Sequence, residues 1–141
     1  MKSRTDKLWA DFYEWPERWK GFPEDVPYGK GIIAIYKPFV EELLSRISLN
    51  TVKRHLDNLW LLGGELIREI NMDPELRKKA PMDLLLESID ETGGPSCRHL
   101  DTEEDFRSYD ATCKKLFKFL QKGITHGVPD CTDRLREDDP L

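Results

Sequence analysis

Residues 50–71, NTVKRHLDNLWLLGGELIREIN, decide the fold. Their apolar positions Val52, Leu56, Leu59, Gly63, Ile67 and Ile70 advance by three or four residues, which keeps one face of an α-helix in register. Trp60, Leu62 and Leu66 widen that stripe beyond what a surface helix carries, so this helix is expected to be covered on more than one side. Gly63 and Gly64 each weaken a helix interior by about 1 kcal/mol relative to alanine. A close crossing by another helix at Gly63 is the expected compensation, with a kink as the alternative. Ser48 or Asn50 suits the N-cap, and Leu49 the staple position before it.

The segment before it, residues 31–47, begins with GIIAIY, which alone reads as a strand. No second strand candidate exists to pair with it. As a helix it aligns Ile32, Ile35, Phe39, Leu43 and Ile47 on one face, and Pro38 marks where it would break. Residues 5–15 form a first short helix, capped by Thr5 or Asp6 and stopped by Pro16. Residues 16–30 hold three prolines and two glycines and read as loop. Beyond the long helix, Asp73 is placed to cap a short helix starting at Pro74, and Pro81–Ile89 form another. Residues 91–100 read as loop. The last helix starts at Asp101 or Thr102 and carries Glu103, Glu104 and Asp105 in its first turn. Lys114, Lys115, Lys118 and Lys122 follow in its later turns, and Gly123 is expected to end it. Acid first and base last complements the helix dipole.

These elements make an all-α fold: a bundle of about five or six helices around the long helix at 50–71. Residues 1–30 read as an aromatic-rich arm with a short helix, packed on the bundle. Residues 31–128 read as the helical core, and 129–141 as a polar, flexible tail. Nine of the fourteen aromatic residues lie in residues 1–39, so the arm has enough ring area to pin itself down. The alternative is a platform that stacks bases or grips a peptide.

Charged residues make up 35% of the chain and apolar ones 38%, which suits a helical domain with well-solvated faces. No apolar run approaches the length of a bilayer span, so no membrane partner is expected. Three widely spaced cysteines and the lack of a secretory leader point to a reduced, cytoplasmic protein. The net charge of −5 is uneven: residues 81–112 hold nine acidic and two basic groups, while the other segments nearly balance. An acidic chain is a poor non-specific nucleic-acid binder, but a local basic patch remains open to it.

No phosphate loop, nucleotide fingerprint or zinc-protease motif is present, so no cofactor and no catalytic residue is assigned. Cys97, His99, Cys113, His126 and Cys131 lack the paired spacing of a structural zinc site, so no metal is assigned either. Lys53-Arg54-His55 is the odd placement, because cations in a helix's first turn oppose its dipole. With Thr51 and the free N–H groups of that turn they would form a phosphate seat. The alternative is that they point to water or meet the acidic 81–112 segment.

Residues 48–59, SLNTVKRHLDNL, resemble the first-helix pattern of the N-terminal core-binding (SAM-like) domain of tyrosine recombinases, the phage-integrase type. Residues 108–120, SYDATCKKLFKFL, are similar to that domain's closing helix. The likeness spans roughly residues 40–122 and implies a small four-helix bundle that clamps one face of DNA. The family's catalytic domain is absent, so the resemblance implies no recombinase activity, and the acidic block at 81–112 departs from a DNA clamp. Two readings follow. The first is a non-catalytic interaction module that binds a protein partner, or itself, through the acidic face or the aromatic arm. The second is a DNA-associated accessory that contacts phosphate through Thr51, Lys53, Arg54, Lys114, Lys115 and Lys118.

Overall fold

The apolar stripe of the long helix is buried along its whole length: Val52, Leu59, Leu62, Leu66 and Ile70 expose nothing. The computed structural model describes residues 3–95, 97 and 100–126. Within them are six α-helices: α1 (Arg4–Phe12), α2 (Trp15–Trp19), α3 (Asp25–Arg46), α4 (Leu49–Met72), α5 (Pro81–Ser88) and α6 (Glu103–His126). A 3-10 turn, Pro74–Lys78, links α4 to α5. The architecture is all-α, and α4 is its axis, packing against α2, α3, α6 and the 3-10 turn.

Local chemistry sets the helix ends. Ser48 caps α4, its Oγ accepting the Thr51 N–H at 3.3 Å. Ser3, rather than Thr5, caps α1, and Asp6 returns the bond to the Ser3 N–H in a capping box. Thr102 Oγ1 accepts the Asp105 N–H at 3.0 Å at the start of α6. Asp73 does not cap with its side chain; its carbonyl accepts from Leu76 N–H instead, closing a tighter 3-10 turn.

Several expectations need correction. The first helix ends at Phe12, and Pro16 opens α2 instead of stopping α1. Residues 16–30 are largely helical, because Pro16 and Pro27 occupy first-turn positions, where no intrahelical N–H bond is lost. Residues 31–36 are helix, and α3 runs unbroken through Pro38. Gly123 does not end α6, which continues to His126. The expected tail, 129–141, lies outside the described residues.

Among the described residues the neighbour at Gly63 is a side chain of α2: the Trp19 indole lies against it, donating from Nε1 to the Trp60 carbonyl at 3.0 Å. A Cβ on Gly63 would sit 3.0 Å from Trp19 Cε2 and nearer still to Cζ2 and Cη2. Backbones do approach closely at Gly29 on α3, where a Cβ would meet Pro16 Cα of α2 at 3.1 Å. Phe12, Trp15, Tyr28, Tyr36 and Phe39 are thereby core, while Tyr13 and Phe22 stay exposed. Trp15 and Trp19 each stack or tilt against Trp60 at 5.6 Å, and Phe12 is fully buried. The structure leaves no open aromatic platform among Phe12, Trp15 and Trp19.

Asp25 locks the α2–α3 corner to the far end of α4. Its carboxylate accepts from Gly21 N–H at 2.8 Å, Phe22 N–H at 2.9 Å and Arg77 Nη2 at 2.9 Å. Burial pushes this carboxyl up, but those two amides, Arg77 and Asn71 together pull harder and hold it below its usual range.

Candidate functional site

The start of α4 meets the start of α1, the end of α3 and the later turns of α6, and the unneutralised cations collect there. Arg4 Nη2 donates to Asn50 Oδ1 at 3.4 Å, which brings the N-termini of α1 and α4 together. Arg4, Lys7 and Lys53 line one end of a half-open cleft of about 530 Å³ between these helices. Leu8 and Leu56 form its apolar surface, and Asp11, Asp57 and Trp15 complete its lining.

Arg54 follows Lys53 by one residue, about 100° further around α4. His55 lies buried between α4 and α6, and its Nδ1 is 2.8 Å from Thr112 Oγ1. Thr112 Oγ1 also accepts from Asn58 Nδ2 at 2.8 Å, and Asn58 Nδ2 donates to the Ser108 carbonyl at 3.1 Å. This polar joint ties α4 to α6 with its donors and acceptors matched. Burial lowers the His55 pKa, and the charges of Lys115 and Arg54 lower it further. Lys115 therefore belongs to the same end as Arg54. It also lines a small groove of about 260 Å³ with Phe39, Leu43, Arg46 and Ile47.

The residues named for phosphate contact are thus only partly gathered. Lys53 and Arg54 are separated by about 100° around α4. Thr51 is exposed, but its Oγ1 is already 2.9 Å from Ser48 Oγ. Lys115 converges with Arg54, whereas Lys114 turns about 100° away around α6 and Lys118 about 60° away. All three lysines are exposed.

Ion pairing differs between the two ends of the molecule. At the far end most cations are matched: Arg77 with Asp25 at 2.9 Å, Lys78 with Glu75 at 2.9 Å, Arg68 with buried Glu65 at 3.1 Å, and Lys79 with Glu87, while exposed Lys30 makes no ion pair among the described residues. Among the described residues, Lys7, Lys53, Arg54, Lys114 and Lys115 make no such pair, whereas Arg46 pairs with Glu42 at 3.1 Å.

Cys113 does not qualify as a nucleophile at neutral pH. Burial, and then the charge of Asp110, pushes its thiol up to about 12. Cys131 and His99 lie outside the described residues, and His126 is described only as backbone. No group of three or more metal-ligating side chains occurs among the described residues. No helix among them is long and apolar enough to cross a membrane.

Arg4, Lys7, Asp11 and Asp57 were not singled out from the sequence. The signal for them is a repeated spacing, since Lys7 precedes Asp11 by four residues as Lys53 precedes Asp57. No protein-family model matches the chain, and no curated protein or solved structure matches it.

Proposed function

We propose that the protein is a non-catalytic helical interaction module that docks a charged segment of another polypeptide at the α1–α4 end of the bundle. The unequal pairing of cations carries this reading: mostly matched at the far end, unmatched around Lys7, Lys53 and Arg54. An exposed surface ion pair is worth little within one chain, so a row of unmatched cations is no stability defect. It is instead a surface on which a partner's charges select register and orientation.

Asp11 and Asp57 line the same cleft as Lys7 and Lys53. A phosphate backbone supplies one sign of charge and meets those carboxylates as repulsion. A polypeptide supplies both signs. The placement of Arg54 and Lys115 around His55 supports a second reading, a DNA-associated accessory of the integrase core-binding type.

Site-specific photo-cross-linking separates the two. A benzoylphenylalanine at exposed Asn50, beside the cleft residue Arg4, is expected to give a discrete protein adduct in cells that the same probe at exposed Glu104 does not. Equal labelling at both positions sinks the module reading. Duplex binding that weakens steeply with salt, and is lost in Lys53→Ala/Arg54→Ala, selects the DNA reading.

A further inference from the structure

The cleft between α1 and α4 has a charge order that neither helix satisfies by itself. The two helices run side by side in the same direction. Arg4 meets Asn50 near one end, and Asp11 acts electrostatically on Asp57 near the other. Both pairs are 46 residues apart in sequence, so Lys7 and Lys53 share a level as well. Like therefore faces like across the cleft: lysine opposite lysine and, one turn further, aspartate opposite aspartate. On each helix the lysine precedes the aspartate at i, i+4, the weaker orientation for a helical ion pair, and neither pair is closed.

The two aspartates are not equivalent. Asp11 accepts from Trp15 Nε1 at 3.3 Å and pairs with Arg18. Asp57 has no hydrogen-bond or ion-pair partner among the described residues. Burial, and then the neighbouring charge of Asp11, raises its pKa, as expected for a carboxylate that lacks a cation. The lysine level and the aspartate level are separated by four residues, about 6 Å along the helix axes. Leu8 and Leu56 lie in the cleft with them, and Trp15 lines it beside Asp11.

We propose that this cleft binds the carboxy-terminal lysine of a partner polypeptide, the terminal carboxylate seated among Arg4, Lys7 and Lys53 and the ammonium between Asp11 and Asp57. The methylenes of that lysine lie on Leu8 and Leu56, and the Trp15 ring adds a cation–π contact to the ammonium. Such a group presents its two charges at opposite ends of an apolar chain of about the length between the two levels. It relieves the lysine opposition and gives Asp57 a cation such as Asp11 already has in Arg18. The inference rests on the interaction-module reading and names the chemistry of its partner.

The test uses the full chain, labelled with ¹⁵N, and three probes: 6-aminohexanoate, hexanoate, and a short peptide ending in lysine as the free acid or the amide. Saturable amide shifts at Lys7, Leu8 and Asp57 are expected with 6-aminohexanoate, with a Kd on the order of 1 mM. Hexanoate and the peptide amide are each expected to bind at least about 10-fold more weakly than their doubly charged counterparts. Lys53→Met and Asp57→Asn, both exposed substitutions checked for folding by circular dichroism, should each lower affinity by a similar factor. Hexanoate binding as well as 6-aminohexanoate, or full affinity in Asp57→Asn, overturns the proposal. Binding of 6-aminohexanoate without the peptide acid overturns the polypeptide source and leaves a small-molecule site. Silence from both probes, with the Asn50 adduct intact, removes this inference and leaves the module reading standing.

Discussion

Gly63→Ala and Gly64→Ala should change stability in opposite directions, although the two residues are neighbours in one helix. In an open helix either change gains about 1 kcal/mol, because glycine has more backbone entropy to lose. At Gly64 the added methyl meets Trp19 Cδ1 at 3.5 Å, ordinary contact distance, so the gain survives. At Gly63 the methyl falls 3.0 Å from Trp19 Cε2 and inside the reach of two further ring atoms. The indole is rigid and cannot fold away, so it must leave. Displacing it gives up the Nε1–Trp60 carbonyl bond, about 1 kcal/mol. Overpacking, or the lost contacts with the Trp15 and Trp60 rings, adds about 1–3 kcal/mol. Set against the helix gain, Gly63→Ala should destabilise by about 2 kcal/mol. Urea denaturation followed by far-ultraviolet circular dichroism measures both variants, and near-ultraviolet dichroism reports the Trp19–Trp60 pair. The decisive control is Trp19→Ala, in whose background Gly63→Ala should become stabilising by about 1 kcal/mol. A stabilising Gly63→Ala in the native background, or no change of sign with Trp19 removed, refutes the account.

Asp25→Asn should lower stability by about 2 kcal/mol at pH 7, less than a fully enclosed pair because Arg77 keeps 28% of its side chain exposed. The folded-state pKa of Asp25 is depressed, so its contribution is present above the ordinary carboxylate range. It is lost as pH falls through the folded value, and an acid titration of unfolding should show that loss in the parent but not in Asp25→Asn. His55 also has a depressed folded pKa, so the unfolded chain takes the proton first; stability should be full above about 6.5 and fall below it. His55→Gln should flatten that slope, while Thr112→Val, which strands Asn58 and His55, should destabilise by about 2 kcal/mol at every pH. With its thiol near 12, Cys113 should resist iodoacetamide at pH 8 until the chain is unfolded; rapid labelling of Cys113 in the native protein, read by mass spectrometry, would contradict its burial.

The helices legible in the sequence were those whose period and caps agree. In α4 the stripe from Val52 to Ile70 and the Ser48 cap point to one element, and the helix starts and stops within a residue of expectation. The same agreement made α6 readable at its acidic start. Failures came where one residue type has two uses. Pro16 and Pro27 break a helix in its interior but suit its first turn, and composition does not distinguish the two. Gly63 signalled a close neighbour correctly. Whether that neighbour is a backbone or an indole depends on Trp19, some forty positions away, and no local pattern carries that. The charged end was half legible. Lys53 and Arg54 stood out as cations against the dipole, but the matched level of Lys7 and Asp11 depends on α1 lying alongside α4, a tertiary fact.

The seat of Trp19 on α4 also fixes an order of events at the ribosome. Its hydrogen-bond acceptor, the Trp60 carbonyl, lies 41 residues later in the chain. At a synthesis rate of about 5–20 residues per second, the indoles of Trp15 and Trp19 wait roughly 2–8 s for the surface that covers them. The short helices α1 and α2 cannot bury those rings by themselves. A nascent chain arrested before residue 60 carries several uncovered aromatic rings, a target for holdase chaperones that the finished molecule no longer presents.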